Sequence, residues 1–411
     1  MLKKIKVEDV RLGMYLQEIC ASWTEHPFWR KSFLLEDPKD LKTLQTCGVR
    51  EVWIDAKKGK DVAASAVIAS GTAEEAQKIE QALQDMANEP AQAAKAAARV
   101  QPSSFEDEVT RARRIHARAK EAVVSMFSEA RMGNALQLAE ADTVVDEINQ
   151  SIARNSSALL SLARLKHIDD YTYLHSVAVC ALMLALGRQM NLGEADLKEA
   201  GMAGLLHDLG KMALPMELLN KPGKLTDQEF ETIKAHPRQG WEILQNAVGV
   251  SEVAKDVCLH HHERVDGTGY PEKISGPALS LFARMGSICD VYDALTSDRC
   301  YKKGWEPGEA IRKMAEWRNG HFDEDVFHAF VKTVGIYPTN TVVKLKSGRL
   351  AVVLEQSQKN LLTPKVKVFY SLNAKTPLPP LLVDLAKVPD AITGMEDSSK
   401  WRAEINRLTG V

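Results

Sequence analysis

The stretch Leu205-Leu206-His207-Asp208-Leu209-Gly210-Lys211 places a histidine and an aspartate side by side after an apolar run. A neutral imidazole nitrogen and a carboxylate oxygen together suit a borderline-hard divalent ion such as iron or manganese. Successive helical residues point about 100° apart, so both side chains reach one centre only near a helix end. We expect Gly210 to supply that end. The pair therefore predicts one corner of a metal site inside a helical fold.

Other residues of the types that bind metals occur at intervals on both sides of this stretch. They are His175 upstream and His236, His261, His262 and Asp290 downstream. Three consecutive helical residues cannot all face one centre, so we expect His261 and His262 to bind and His260 to support the fold or the site. Facing helices build such sites in their shared core.

The number and type of these ligands predict two metal ions rather than one. A structural zinc ion takes four ligands, often cysteines, whereas this set has more than four nitrogen and oxygen ligands and no cysteine. We predict two ions bridged by Asp208. Paired ions share a water, lower its pKa to form hydroxide near neutral pH, and neutralise charge on a phosphoryl oxygen. The predicted chemistry is phosphoester hydrolysis.

Cationic residues and a loop accompany the predicted ligands. Lys211, one helical turn after His207, is expected to hold a phosphate oxygen or to stabilise the leaving alkoxide; the alternative is a lysine that offsets the helix dipole. Arg299 and Lys302 share a helix face and are expected to bind a second phosphate.

The glycines and prolines of residues 266–277 exclude a helix. They predict a loop at the mouth of the site.

Changes of pattern along the chain predict several domains. At 411 residues the chain exceeds the usual size of one hydrophobic core. We predict a multidomain, mainly α protein that begins with a small α/β regulatory or interaction domain at residues 1–70 and an Ala/Gln/Glu-rich linker at 71–102. An all-helical domain follows at 103–338, and a small β-rich extension at 339–411.

Composition and charge exclude several function classes. The formal net charge of -2 argues against a broad basic surface, so we expect no nucleic-acid polymer as partner. The first residues lack the apolar core of a signal peptide, and the longest apolar run, near residues 177–186, is too short to span a bilayer. The six cysteines form no CxxC pair. These features are typical of a cytoplasmic protein with reduced thiols.

Several motifs, taken in order, resemble the HD-GYP domain of bacterial cyclic di-GMP phosphodiesterases. The motifs are His207-Asp208, His236-Pro237, His261-His262-Glu263, Asp266-Gly267-Thr268-Gly269-Tyr270-Pro271 and Asp290-Val291-Tyr292-Asp293-Ala294-Leu295-Thr296-Ser297-Asp298-Arg299. The resemblance covers residues 140–337 and implies an HD-type helical bundle. The N-terminal unit is similar to the domain of unknown function that precedes HD-GYP in many bacterial proteins.

The resemblance also implies roles for individual residues. The implied metal ligands are His175, His207, Asp208, His236, His261, His262 and Asp290. Lys211, Arg299 and Lys302 match positions that contact substrate phosphate, and Tyr270 lies in the Gly269-Tyr270-Pro271 signature loop beside the substrate. The implied reaction is hydrolysis of cyclic di-GMP through linear pGpG to GMP, with iron or manganese in the site.

One position departs from some members of that family. Members that hold three metal ions carry a glutamate four residues before the first histidine ligand, where this chain has Tyr171. We therefore expect a two-metal centre. This leaves open how efficiently the second cleavage, from pGpG to GMP, proceeds.

Two other functions compete with this one. A catalytically silent receptor would bind cyclic di-GMP and signal through the N-terminal unit or the loop at Tyr270, but silent members are expected to lose ligands. Another HD-superfamily phosphohydrolase would act on guanosine tetraphosphate or deoxynucleoside triphosphates, and the loop from Asp266 to Pro271 argues against it. A protein partner at the Gly269-Tyr270-Pro271 loop and a homodimer are further hypotheses.

Overall fold

The computed structural model describes residues 2–19, 32–46, 51–62, 73–88, 101–163, 171–219, 221, 225–297, 304–357 and 360–410. The chain divides into two compact units, Met1–Ala82 with Lys221–Lys224 and Leu83–Asn220 with Leu225–Val411. Helices dominate, which confirms the prediction of a multidomain, mainly α protein. Among the helices of these described residues, none is both long and apolar enough to cross a membrane.

The first unit contains a small antiparallel sheet. Its strands are β1 (Leu2–Lys6), β2 (Tyr15–Ile19), β3 (Phe33–Leu34) and β4 (Glu51–Asp55), paired in the order β1-β4-β2-β3, with helix α1 (Pro38–Thr46) preceding β4. Ile5 pairs with Val52 across β1 and β4. Both are fully buried with Leu44 of α1, because alternate residues of a strand face the same side of the sheet. Within the predicted linker, the structure describes helix α2 (Ala73–Asn88).

Two long helices, α3 (Phe105–Met132) and α4 (Ala139–Ala163), open the helical part of the second unit, and α4 is kinked at Asn155. The later helices are α5 (Tyr171–Gln189), α6 (Glu194–Leu206), α7 (Met216–Leu219), α8 (Asp227–Ile233), α9 (His236–Gln245), α10 (Glu252–His260), α11 (Leu281–Thr296), α12 (Pro307–His321) and α13 (Glu324–Val334). Helix α5 packs against α4, α6, α11 and α13. It is apolar around its whole circumference because it is buried on every side.

A second antiparallel sheet closes the second unit. Its strands are β5 (Val342–Leu345), β6 (Arg349–Glu355), β7 (Lys365–Ser371), β8 (Thr376–Asp384) and β9 (Ile392–Glu396), in the order β8-β7-β6-β5-β9, followed by α14 (Arg402–Thr409). Phe105 and Val109 of α3 share a hydrophobic core with Phe369 of β7 and Leu408 of α14. The sheet is therefore packed onto the first long helix of the unit.

Candidate metal centre

The predicted metal ligands lie together in one buried cluster of the second unit. They are His175, His207, Asp208, His236, His261, His262 and Asp290. The most exposed of these side chains is that of His262, at 6%. The cluster is closed to bulk water, so its polar atoms must find partners inside it.

Helix ends place most of these side chains. α6 ends just before His207, α9 begins at His236, and α10 ends just before His261. Asp208, with φ -101° and ψ 10°, has already left the helical path, so its side chain faces the same centre as that of its neighbour. The buried middle of α11 contributes Asp290, α5 contributes His175, and His262 follows His261 directly.

Gly210 brings two of these segments together, but not in the way that we expected. It does not cap α6; it lies in a 3-10 helix over Leu209–Ala213. A Cβ atom added at Gly210 would lie 1.9 Å from the carbonyl oxygen of His236 and 2.4 Å from the backbone nitrogen of Gly240. Only glycine permits so close an approach of two backbones. The consequence is that Asp208 and His236 are held next to each other.

The first group of ligands consists of His175, His207 and Asp208. The Nε2 atoms of the two histidines are 3.2 Å apart. The Oδ2 atom of Asp208 lies 3.4 Å from Nε2 of His175 and 3.5 Å from Nε2 of His207. Asp290 adds its Oδ1 atom, 3.0 Å from Nε2 of His175.

The second group consists of His236, His261 and His262. The Nε2 atoms of His236 and His261 are 3.3 Å apart. The other carboxylate oxygen of Asp208, Oδ1, lies 3.3 Å from Nε2 of His236 and 3.8 Å from Nε2 of His261. The Oδ2 atom of Asp290 lies 3.6 Å from Nδ1 of His262. Both aspartates thus present one oxygen to each group of histidines.

Backbone carbonyl groups determine which ring nitrogen faces the cluster. The Nδ1 atom of His207 donates to the carbonyl oxygen of Gly204 over 2.8 Å, and that of His236 to Ile233 over 2.7 Å. The Nδ1 atom of His261 donates to the carbonyl oxygen of Cys258 over 3.0 Å. A carbonyl oxygen only accepts, so each Nδ1 carries the proton and each Nε2 presents a lone pair to the cluster.

Asp293 orients the ring of His175. Its Oδ2 atom accepts a hydrogen bond of 2.6 Å from Nδ1 of His175. A carboxylate behind a histidine fixes the ring and raises the basicity of the other nitrogen, which is the usual support of a metal-binding histidine. Our sequence analysis did not assign Asp293. The available signal was its position three residues after Asp290 on α11, which places both carboxylates on one helix face.

The cluster fits divalent metal ions. Asp208 Oδ1 and Asp290 Oδ2 are buried and accept no hydrogen bond within the described part of the chain. A buried carboxylate oxygen without a partner is strongly unfavourable. The lone pairs of His236 and His261 face the same space, so nothing on these rings can donate to it. Nitrogen and oxygen donors that lack protons are what a divalent ion requires.

Burial and neighbouring charges keep these side chains in the forms that bind metal. Burial lowers the pKa of His261 to about 3 and lowers the pKa of His262 well below its usual value. Burial would raise the pKa of Asp208, but Lys211 and His207 hold it well below its usual value. For His175, burial lowers the pKa, and the neighbouring aspartates reverse this and raise it. Neutral rings and ionised carboxylates therefore prevail in most of the cluster at neutral pH.

Lys211 lies beside the cluster. Its Nζ atom is 2.5 Å from Oδ2 of Asp208, and its side chain is 16% exposed. The ammonium group therefore connects the shared carboxylate with the edge of the site. Arg299 and Lys302, the other predicted phosphate contacts, lie outside the described residues.

The predicted loop lies against the cluster through Tyr270. The ring of Tyr270 stacks on that of His262, with centroids 4.8 Å apart. Glu263 holds the loop, because its Oε1 atom accepts backbone hydrogen bonds from Glu272 at 2.6 Å and from Lys273 at 2.8 Å. The ring nitrogens of His260, the neighbour of the cluster, contact the carboxylates of Asp256 and Glu272 instead. It supports the fold, as we expected.

Comparison with known proteins identifies the family. Residues 2–141 match a domain of unknown function (DUF3391), and residues 139–326 match the HD domain. The cyclic di-GMP phosphodiesterase PA4108 of Pseudomonas aeruginosa is 52% identical over 404 residues, which are 98% of this chain and 94% of that protein. The chain belongs to the HD-GYP family of cyclic di-GMP phosphodiesterases.

Other relatives match a smaller part of the chain. The response regulator RpfG of Xanthomonas campestris, a cyclic di-GMP phosphodiesterase, is 36% identical over 189 residues, 45% of this chain and 50% of that protein. A 3'3'-cGAMP-specific phosphodiesterase of Vibrio cholerae is 36% identical over 164 residues, 40% of this chain and 38% of that protein. Proteins similar to this chain are therefore named for two different cyclic dinucleotides.

Proposed function

We propose that the chain hydrolyses cyclic di-GMP to linear pGpG at a centre of two divalent metal ions, with GMP as the product of a second cleavage whose extent is to be measured. The observation that carries this proposal is the position of Asp208, whose two oxygens lie against two separate groups of histidines. A carboxylate in that position suits a pair of ions that it bridges. The extended similarity to a protein named a cyclic di-GMP phosphodiesterase supports the choice of substrate.

The two groups of histidines would hold one ion each. His175 and His207 would hold the first, His236, His261 and His262 the second, and both aspartates would serve the pair. Bound ions supply Lewis acidity, which lowers the pKa of a coordinated water and offsets the charge that builds up on the phosphate. Iron or manganese suits this mixture of imidazole and carboxylate ligands without sulfur.

The remaining residues act on the ligands and on the substrate. Asp293 holds His175 in the orientation that presents Nε2. Lys211 balances the charge of Asp208 and is exposed enough to take a phosphate oxygen or to stabilise the leaving alkoxide. Tyr270, stacked on His262, forms part of the wall that the substrate meets. We assign Arg299 and Lys302 to the second phosphate on the sequence motif alone.

The number of ions bears on the second cleavage. Four residues before His175, at the start of α5, stands Tyr171 rather than a carboxylate. We therefore propose two ions and not three. The ratio of pGpG to GMP among the products measures how far such a centre carries the reaction.

The competing functions have less support. A silent receptor has no need for a full set of ligands, yet all the side chains predicted to bind metal converge here. A phosphohydrolase for guanosine tetraphosphate has no need for the loop that stacks Tyr270 on the cluster. We retain as proposals a regulatory or interaction role for residues 1–70, a linker at 71–102, a partner at the Gly269-Tyr270-Pro271 loop, a homodimer and a cytoplasmic location.

Turnover of cyclic di-GMP tests the proposal. Protein purified without oxygen is assayed with manganese or ferrous iron, and pGpG is separated from GMP. We expect hydrolysis that a chelator abolishes and that Asp208→Ala eliminates together with bound metal. Asp146→Asn, an exposed aspartate on α4, is the matched control and should retain full activity. No turnover by fully metal-loaded protein that binds the dinucleotide would overturn the proposal in favour of the receptor.

A further inference from the structure

Two side chains beside the metal centre, Phe230 and Lys234, have no role in the mechanism proposed above. The Nζ atom of Lys234 lies 5.8 Å from the centroid of the Tyr270 ring and 4.9 Å from that of Phe230. Tyr270 itself stacks on His262 of the cluster. Tyr270, Lys234 and Phe230 thus form a row of contacts that begins at the predicted ligand His262.

The position of this group relative to the ligands is fixed by the backbone. Ile233, the last residue of α8, accepts the hydrogen bond of 2.7 Å from Nδ1 of His236, and Lys234 follows it directly. The other end of α8 is fixed by a capping box, in which Thr226 and Glu229 exchange hydrogen bonds of 3.2 and 2.6 Å. Since α8 is tied to a ligand at one end and capped at the other, Phe230 and Lys234 are held beside the site.

Both side chains are available to a ligand. Lys234 is 29% exposed, and it pairs at 2.6 Å with Glu231, whose side chain is 68% exposed. Such an exposed pair contributes little free energy, so a ligand displaces it easily. Phe230 is half-buried. An aromatic ring is a surface on which a planar base stacks, once the ammonium group of Lys234 has moved from above it.

We propose that Phe230 and Lys234 form a guanine-binding subsite beside the metal centre. Phe230 stacks on the base, and Lys234 donates to the O6 and N7 atoms of guanine, a pairing that adenine cannot reproduce because it carries an amino group in place of O6. The inference rests on the proposed function, because it requires a substrate that places a guanine next to the phosphate at the metal ions. It adds a residue pair that distinguishes guanine from adenine.

The test uses the hydrolysis of a reporter substrate that carries no nucleobase. Hydrolysis of bis(p-nitrophenyl) phosphate by metal-loaded protein is measured, with cyclic di-GMP or cyclic di-AMP added as inhibitor. The ratio of the two inhibition constants measures the preference for guanine. This readout is separate from cyclic di-GMP turnover, so a failure of the proposed function and a failure of the subsite give different results.

Three variants are compared with the unchanged protein. Lys234→Met should weaken inhibition by cyclic di-GMP about tenfold and leave inhibition by cyclic di-AMP nearly unchanged. Phe230→Leu, which retains apolar volume, should weaken both inhibitors by about five- to tenfold. Lys255→Met is the matched control, because Lys255 also pairs with a glutamate three residues earlier. It should change neither constant, and metal content and reporter hydrolysis should be equal in all of them.

Specific outcomes would overturn the subsite. Equal loss of both inhibitors in Lys234→Met would show that the lysine contacts phosphate and not the base. Unchanged constants in Lys234→Met and Phe230→Leu would show that neither side chain contacts the dinucleotide. A loss of reporter hydrolysis or of bound metal in these variants would show that the residues support the metal centre instead.

Discussion

The Nε2 atoms of His236 and His261 lie 3.3 Å apart, and in the neutral rings both present lone pairs, because the Nδ1 atom of each ring donates to a backbone carbonyl oxygen. Asp208 adds a carboxylate oxygen 3.3 Å from the first of these nitrogens. In a buried site, the repulsion among these lone pairs is poorly screened. A divalent cation bound among these atoms would accept their lone pairs and so remove the repulsion.

Metal binding should therefore stabilise the fold. Ions at one hundred times their dissociation constant are expected to add about 2.7 kcal/mol to the free energy of unfolding, and a chelator should remove that increment. Calorimetric melting temperatures with and without manganese measure it. In Asp208→Asn the increment should shrink, because the shared carboxylate has lost its charge. An unchanged melting temperature after chelation would contradict the metal centre.

Asp293 should tune the affinity of the site for metal. Asp293→Asn keeps the size of the side chain but removes the charge that faces His175 at 2.6 Å. Loss of such a supporting partner typically lowers metal affinity or activity by about 10- to 100-fold. Metal content after dialysis against a graded series of chelator concentrations measures the change. If the Asp293→Asn variant had the same metal affinity as the unchanged protein, the supporting role of Asp293 would be wrong.

Gly210 should be intolerant of any side chain. In Gly210→Ala the new methyl group would collide with the carbonyl oxygen of His236, so the 3-10 helix and α9 must separate. We expect a loss of about 2 kcal/mol or more in stability and weaker metal binding. Gly394→Ala is the control, because a Cβ atom at Gly394 meets nothing within 4 Å. Equal urea midpoints for the two variants would contradict the close approach.

Acid should destabilise the metal-free protein. The pKa of His261 is lowered to about 3 by burial, against about 6.5 in the unfolded chain. Between these values the unfolded state binds more protons, so stability rises with pH and falls on acidification, by up to about 1.4 kcal/mol per pH unit. Urea unfolding across this range measures the slope. His261→Gln should reduce the slope, and an unchanged slope in this variant would contradict the assignment.

Arg299 and Lys302 should affect the substrate and not the metal. Replacing either with alanine is expected to raise KM for cyclic di-GMP, because a cation that faces a phosphate is lost, with metal content unchanged. Steady-state kinetics combined with metal analysis separate the two effects. Variants that lose metal together with activity would place these residues in the support of the centre instead.

The sequence predicted which side chains meet, because these residues are of the types that bind metal ions. Most of them lie at or next to a helix end. It did not predict how they are brought together. Gly210 was expected to end a helix, but its role is to let two backbones approach, and the partner backbone at His236 is not visible in the local sequence. Asp293 was missed because its partner, His175, is 118 residues away.

The C-terminal sheet also shows how much of the fold could be predicted from the sequence. The sequence predicted a small β-rich extension at 339–411, and the structure places strands β5 to β9 and helix α14 there. Pro377, Pro379 and Pro380 argue against a strand. They are tolerated in β8 because it lies at the edge of the sheet, and because Pro379 and Pro380 fall in the irregular part of its pairing with β7, between the pairs Val368–Leu381 and Tyr370–Pro377.

The packing of α3 against the last helix also constrains how the protein is made. Arg113 donates to the carbonyl oxygen of Gly410, 297 residues further along the chain, and Phe105 shares a core with Ile405. At roughly 5 to 20 residues per second, tens of seconds separate the synthesis of these partners. During that interval the apolar side chains at the start of α3 are without their final cover, and transiently exposed apolar surface of this kind makes a nascent chain prone to aggregate.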